Sequence, residues 1–142
     1  MSTCKLNLLL VLLFISLNSF AVDYYWIGGS GNWGDLNHWA TASGNGSVLH
    51  NKTPGSGDDV YIDANSLNGF TDTIVMNVQT AFCRSFTINN IGGHVTIIFQ
   101  NSATLRLFGS IDFDDATLQN ATIICESAIL GRTVKTQNTY IS

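Results

Sequence analysis

Apolar and polar residues alternate in short runs along most of this chain, and the runs stop at Gly, Asn, Asp and Ser. Val60 and Ile62 alternate with Tyr61 and Asp63, and Ile74, Met76 and Val78 with Thr73, Val75, Asn77 and Gln79. Phe86 and Ile88 alternate with Ser85, Thr87 and Asn89, and Val95, Ile97 and Phe99 with Thr96, Ile98 and Gln100. A period of two puts one set of side chains on each face of a strand, so each run predicts a half-buried strand. The longest run sets Leu105, Leu107, Gly109, Ile111 and Phe113 against Arg106, Phe108, Ser110, Asp112 and Asp114. Gly109 weakens a strand at its middle, and a bend or bulge is expected there. A last run sets Ile123 and Cys125 against Thr122, Ile124 and Glu126. Beyond residue 21 no segment holds apolar residues at i, i+3, i+4 and i+7 over three turns, so no helix is expected.

The runs follow one another every 8 to 13 residues between positions 60 and 126, a cadence shared by sandwiches, barrels and β-helices. Three features favour a right-handed parallel β-helix or similar solenoid, with a β-sandwich as the alternative. Segments starting at Ser85, Ala103 and Ala121 resemble one another at steps of 18 residues, near the length of a solenoid repeat. The turns are short (Asn89-Asn90, Gly92-Gly93, Asn101-Ser102, Asp114-Asp115), and after position 70 no Asn-Gly or Asp-Gly joins two strong strands. The expected division is a leader over 1–21, a Trp- and Gly-rich cap over 22–59, and rungs over 60–142. Residues 133–142 are polar and carry no closing motif, so a longer parent protein is expected.

Residues 1–21 read as a secretory signal peptide, with Lys5 in the n-region, an apolar stretch from Leu8 to Ile15, and Ser19-Phe20-Ala21 as the cleavage site. The apolar stretch is too short to span about 30 Å of hydrocarbon comfortably, so a secreted or cell-surface product without membrane insertion is expected. Removing the leader takes away Lys5 and leaves 5 basic against 10 acidic residues, a net charge of −5. That balance argues against nucleic-acid partners, which need clustered Lys and Arg. Two cysteines remain, Cys83 and Cys125. An exported chain permits a disulfide between them, which would stabilise by about 4 kcal/mol through loop closure; two separately buried thiols are the other reading.

The densest motif is Tyr24-Tyr25-Trp26-Ile27-Gly28-Gly29-Ser30-Gly31-Asn32-Trp33-Gly34-Asp35-Leu36-Asn37-His38-Trp39. Trp26, Trp33 and Trp39 are candidate glycan-binding platforms, because indole faces stack on sugar C–H surfaces. The favoured reading has them plugging one end of a β-core, with glycines supplying the turns between them. This stretch, followed by Pro54-Gly55-Ser56-Gly57-Asp58-Asp59-Val60-Tyr61-Ile62-Asp63, resembles the opening of large secreted surface proteins of Bacteroidetes. The resemblance runs from Tyr24 to about Leu107, where Ala103-Thr104-Leu105-Arg106-Leu107-Phe108-Gly109-Ser110-Ile111 matches the strand-Gly-Ser-strand phrase of that group. It implies a signal peptide, β-helical adhesin-like repeats and export by type IX secretion. No C-terminal sorting domain is recognisable in this chain, and autonomous surface attachment is therefore not implied.

Asp58, Asp59 and Asp63 are candidate Ca²⁺ ligands by chemistry. Their spacing departs from an EF-hand loop, and turn or strand-edge roles are favoured. Asp112 and Asp114 share a strand face and are the residues an alternative enzymatic reading would use, as the acid and base of a β-helix polysaccharide lyase or glycosidase. A solvated face is favoured for them, so no catalytic residue is assigned. His38, His50 and His94 lack metal-ligand spacing. The Gly28–Gly31 stretch precedes no helix and is not a phosphate loop. These observations lead to an expected adhesin-like, non-catalytic module without a cofactor, whose partners would be surface glycans or host and other cell-surface proteins.

Overall fold

The structure, a computed structural model, describes residues 21–44, 48–89, 91–126, 134–137 and 140–142. All of the expected leader except Ala21 lies outside the described residues. Nearly every regular element is a strand: β1 (Asp23–Trp26), β2 (Gly31–Asn32), β3 (Trp39–Ala40), β4 (Asp59–Ile62), β5 (Thr71–Met76), β6 (Thr80–Cys83), β7 (Phe86–Ile88), β8 (His94–Phe99), β9 (Thr104–Leu107), β10 (Ile111–Asp114), β11 (Ala116–Gln119), β12 (Ile123–Cys125), β13 (Val134–Gln137) and β14 (Tyr140–Ile141). One 3₁₀ turn, Leu36–His38, joins β2 to β3.

The strands form three sheets, in the orders β13-β10-β7-β4-β1-β3, β14-β11-β8-β5-β2 and β12-β9-β6. From β4 onward each strand pairs in parallel with the strand three places later. The chain therefore visits the three sheets in turn and returns to each one strand-width further along. Antiparallel sandwiches do not pair this way. Only β1 with β3 and the bridge of Ala40 to Leu49 run antiparallel among the described residues.

Parallel pairing stacks inward residues into columns. Tyr24, Val60, Phe86 and Ile111 make one column, and Ile62, Ile88 and Phe113 its neighbour. Ile74, Ile97 and Leu118 stack in the second sheet, and Ala81, Leu105 and Ile123 in the third. The core lies between the three sheets, where these residues are almost fully buried, except Ile123, which is partly buried against them. Changes of sheet are made at short corners. Asp115 alone separates β10 from β11 with φ of 54°, and Asn101 and Ser102 turn the chain between β8 and β9 with φ of 51° and 60°. Asn and Asp tolerate this left-handed conformation because their side chains bond locally.

The long run from Leu105 to Phe113 is two strands, β9 and β10, with Gly109 at the corner between them. A Cβ on Gly109 would lie 2.5 Å from both Arg84 O and Ser85 Oγ of the preceding corner, so the backbones approach too closely for any side chain. The inward parity nevertheless continues from Leu107 to Ile111 through the bend.

Two expectations are revised. The 18-residue repeat holds for one step only: Leu105 pairs with Ile123, but Ser85-Phe86-Thr87-Ile88 contributes β7 to a different sheet. The true partner of β9 is β6, whose inward residues are the small Ala81 and Cys83 while the bulky Phe82 faces outward, which inverts the usual apolar signal. The 22–59 segment is also more than a cap. Its β1 and β2 already pair in parallel with β4 and β5, and among the described residues only β3, beside β1, and the bridge of Ala40 to Leu49 are antiparallel.

Replacing Gly109 by Ala is expected to destabilise the protein by about 2 kcal/mol through overpacking. Gly69→Ala, where the nearest atom to the new Cβ is 3.9 Å away, should change it by under about 0.5 kcal/mol. Urea midpoints of the two variants check the contrast.

Candidate functional site

The chemistry-bearing residues gather at the end where the sheets begin. β1 sends Tyr24 and Trp26 inward, and the turn that follows uses Gly28 and Gly29 at φ of 85° and 74°. Asp35 caps the 3₁₀ turn by accepting from Asn37 N–H at 3.0 Å, and that turn delivers Trp39 to the core. Trp26, Trp33 and Trp39 are 1%, 1% and 0% exposed. Their rings pack edge to face: Trp39 against Trp26 at 5.0 Å, Trp33 at 4.7 Å and Tyr24 at 6.0 Å. Trp33 continues to Phe86 at 5.7 Å, and Phe86 to Phe113 at 4.9 Å. The indole N–H of Trp26 donates to Gly29 O at 2.7 Å, and that of Trp39 to Trp33 O at 2.8 Å. With their faces covered and these donors satisfied, the three tryptophans are packing groups. They offer no ring face to a sugar, and the glycan-platform reading of them is withdrawn on burial.

Two histidines lie on this plug. His38 stacks on Trp26 with ring centres 4.5 Å apart and planes 3° from parallel, and its Nδ1 lies 2.6 Å from Ile27 O. A Cβ on Gly31 would collide with the His38 ring, which explains a glycine in β2. His50 stacks on Tyr24 at 3.7 Å. The Tyr24 hydroxyl is buried and meets no hydrogen-bond partner among the described residues. Burial first, then the Asp58 charge, raises the pKa of that phenol.

The acidic residues serve separate loops. Asp58 Oδ2 accepts from Gly55 N–H at 2.9 Å. Asp59 forms a bidentate ion pair with Arg84 and accepts from Ser85 N–H at 3.1 Å, tying β4 to the corner before β7. Asp63 accepts from Asn65 N–H at 2.9 Å in the next turn. Asp59 opens β4 and Asp63 follows its last residue, about 13 Å away along the strand direction, and no group of three potential metal ligands occurs among the described residues. The calcium candidates do not converge. The carboxylate that organises most backbone is instead Asp72, whose role in the fold no local pattern announces. It is 9% exposed and accepts from Ser30 Oγ at 2.7 Å, Asn68 N–H at 2.9 Å and Gly69 N–H at 3.1 Å. Burial alone would raise its pKa, but these donors outweigh it and hold the carboxyl below its ordinary value. Ser30 Oγ in turn accepts from Thr73 N–H at 3.0 Å.

Cys83 and Cys125 are both free, the first buried and the second exposed. Both are in register with Leu107, one on each side. Two strand widths, about 10 Å, separate them, beyond the span of a disulfide; the disulfide reading is corrected on that ground, and the alternative of two buried thiols holds for Cys83 alone. Asp112 and Asp114 lie on the outward face of β10, half-buried, with Asp112 in register between Thr87 and Lys135.

The outward face of the same sheet carries a pair that the alternation pattern hid. Tyr25 and Tyr61 are in register and stack with centres 5.0 Å apart and planes at 20°. Both are half-buried. Desolvation, followed by Asp23 in both cases, raises their pKa values.

Tyr24→Phe is expected to be neutral or to stabilise by about 1 kcal/mol, since it removes an unsatisfied buried hydroxyl; thermal unfolding measures this. Because the folded-state pKa of Asp72 is depressed, its contribution is fully present above the ordinary carboxylate pKa of about 3.9 and is lost as pH falls from there through the folded value. Asp72→Asn should therefore flatten the acid limb of the stability–pH curve in urea titrations.

No protein-family model, no curated protein and no solved structure matches this chain.

Proposed function

We propose that this chain is a non-catalytic display module of a secreted or cell-surface protein, built as a right-handed parallel β-solenoid and closed at its N-terminal end by the tryptophan plug. The observation that carries this reading is the strict three-strand recurrence of parallel pairing from β4 to β14. Crossovers between parallel strands of one sheet are right-handed in about 98% of cases, which supports the hand. The antiparallel β3 supports the cap, because it covers the edge that β1 would otherwise leave unpaired.

In this reading the interior supplies rigidity and the outward rows supply contact. Thr73, Thr96 and Thr117 stand in one outward row, and Tyr25, Tyr61, Thr87 and Asp112 in another. Such rows are displayed at fixed spacing by the backbone ladder, so a repetitive partner such as a polysaccharide is met by a repetitive surface. Adhesion needs nothing more than that geometry. The Bacteroidetes-like opening and the leader-like first 21 residues support export.

Expression of the full chain in a Bacteroidetes host is expected to yield an extracellular product whose N-terminal residue is Val22. Recovery in the cytoplasm with residues 1–21 retained would sink the proposal.

A further inference from the structure

The outward row Tyr25, Tyr61, Thr87, Asp112 descends from two large rings to a small side chain and rises again to a carboxylate. The 5.0 Å separation of the two rings is close to the strand spacing of about 4.8 Å. Their planes therefore stand across the row. One face of Tyr61 is taken by Tyr25, and the other looks along the row over Thr87. Asp112 stands two strand widths from Tyr61, about 10 Å away. Tyr61 is thus one wall of a notch, Thr87 its floor and Asp112 its far boundary. Asp63, just after β4, and Asn89, just after β7, share the outward parity of Tyr61 and Thr87 and flank the notch on one side.

The charges select among ligands. Asp23 and Asp63 give the Tyr61 end of this face a negative sign, and the nearby Arg84 is held by Asp59. Carboxylated or sulfated sugars are disfavoured here by like charge. A neutral pyranose is not: its axial C–H groups suit an aromatic face at roughly 4 Å, and its hydroxyls suit Thr87 Oγ1, Asn89 and Asp63 at about 2.8 Å.

We propose that the notch over Thr87, walled by Tyr61, binds a neutral pyranose unit of a polysaccharide. The proposal rests on the display reading above and gives it a contact point. Sugars would stack on the open face of this half-buried tyrosine and not on the buried tryptophans.

The test uses the full chain and three neutral probes, cellohexaose, xylohexaose and mannohexaose, with hexagalacturonate as the charged comparison, in isothermal titrations. At least one neutral probe is expected to bind, with hexagalacturonate at least tenfold weaker. Tyr61→Ala should weaken binding at least tenfold. Thr87→Tyr removes no existing contact between side chains of the core and fills the notch with a third ring, so it should abolish binding while leaving the thermal midpoint near that of the parent chain. Absence of binding by all three neutral probes overturns the proposal, as does binding unchanged by Thr87→Tyr or equal affinity for hexagalacturonate. Failure of export would leave these titrations unaffected, and failure of binding in a correctly exported chain would remove the notch alone.

Discussion

Parallel pairing between successive visits to the same sheet governs this molecule. Each inward side chain has a counterpart about 4.8 Å away on either side, so the core is a set of columns whose members must fit one another along the stack. Large and small residues share columns accordingly: Val60 lies between Tyr24 and Phe86, and Leu105 between Ala81 and Ile123. The corners obey the same constraint. Where one corner rests on the next, as at Gly109 over Arg84, the approach leaves no room for a Cβ.

A stack of this kind has ends, and the first end is closed by chemistry that differs from the interior. Instead of a further parallel strand, the chain turns through Gly28 and Gly29, crosses the opening, and returns antiparallel as β3. Three indoles fill the space that aliphatic columns fill elsewhere. Their edge-to-face contacts carry an unbroken line of aromatic rings from Trp26 to Phe113. The turn itself is fastened from the next layer, since the carboxylate of Asp72 holds Ser30 and the 68–69 backbone together. Cap and stack are joined by this polar clamp as well as by ring packing.

Alternation made most strands readable in advance. Ile62, Ile74, Ile97 and Phe113 face inward as their runs implied, and Gly109 marks a bend. What stayed hidden has physical causes. β2 is Gly31-Asn32, two residues with no apolar side chain, and it is defined only by its ladder to β5. β6 buries Ala81 and Cys83 and turns Phe82 outward, so hydrophobicity points to the wrong face. The tyrosine pair was invisible for a similar reason: Tyr25 and Tyr61 are 36 residues apart and sit where polar residues are expected, and only the register brings their rings together. Asp72 shares the inward parity of Ile74 and Met76, and its partners come from the 30 and 68–69 turns, which no local pattern connects to it.

Cys83 gives the fold a chemical clock. Its thiol is fully buried, and desolvation, with the Asp59 charge second, pushes its pKa far above the ordinary range, while Cys125 lies exposed two strands away. Of these two cysteines, a thiol reagent therefore meets Cys125 at once and Cys83 only when the third sheet parts from the core; Cys4 lies outside the described residues. The slow phase of a two-step alkylation would count openings of the stack directly, with no introduced label, in the same molecules whose fast phase reports intact surface.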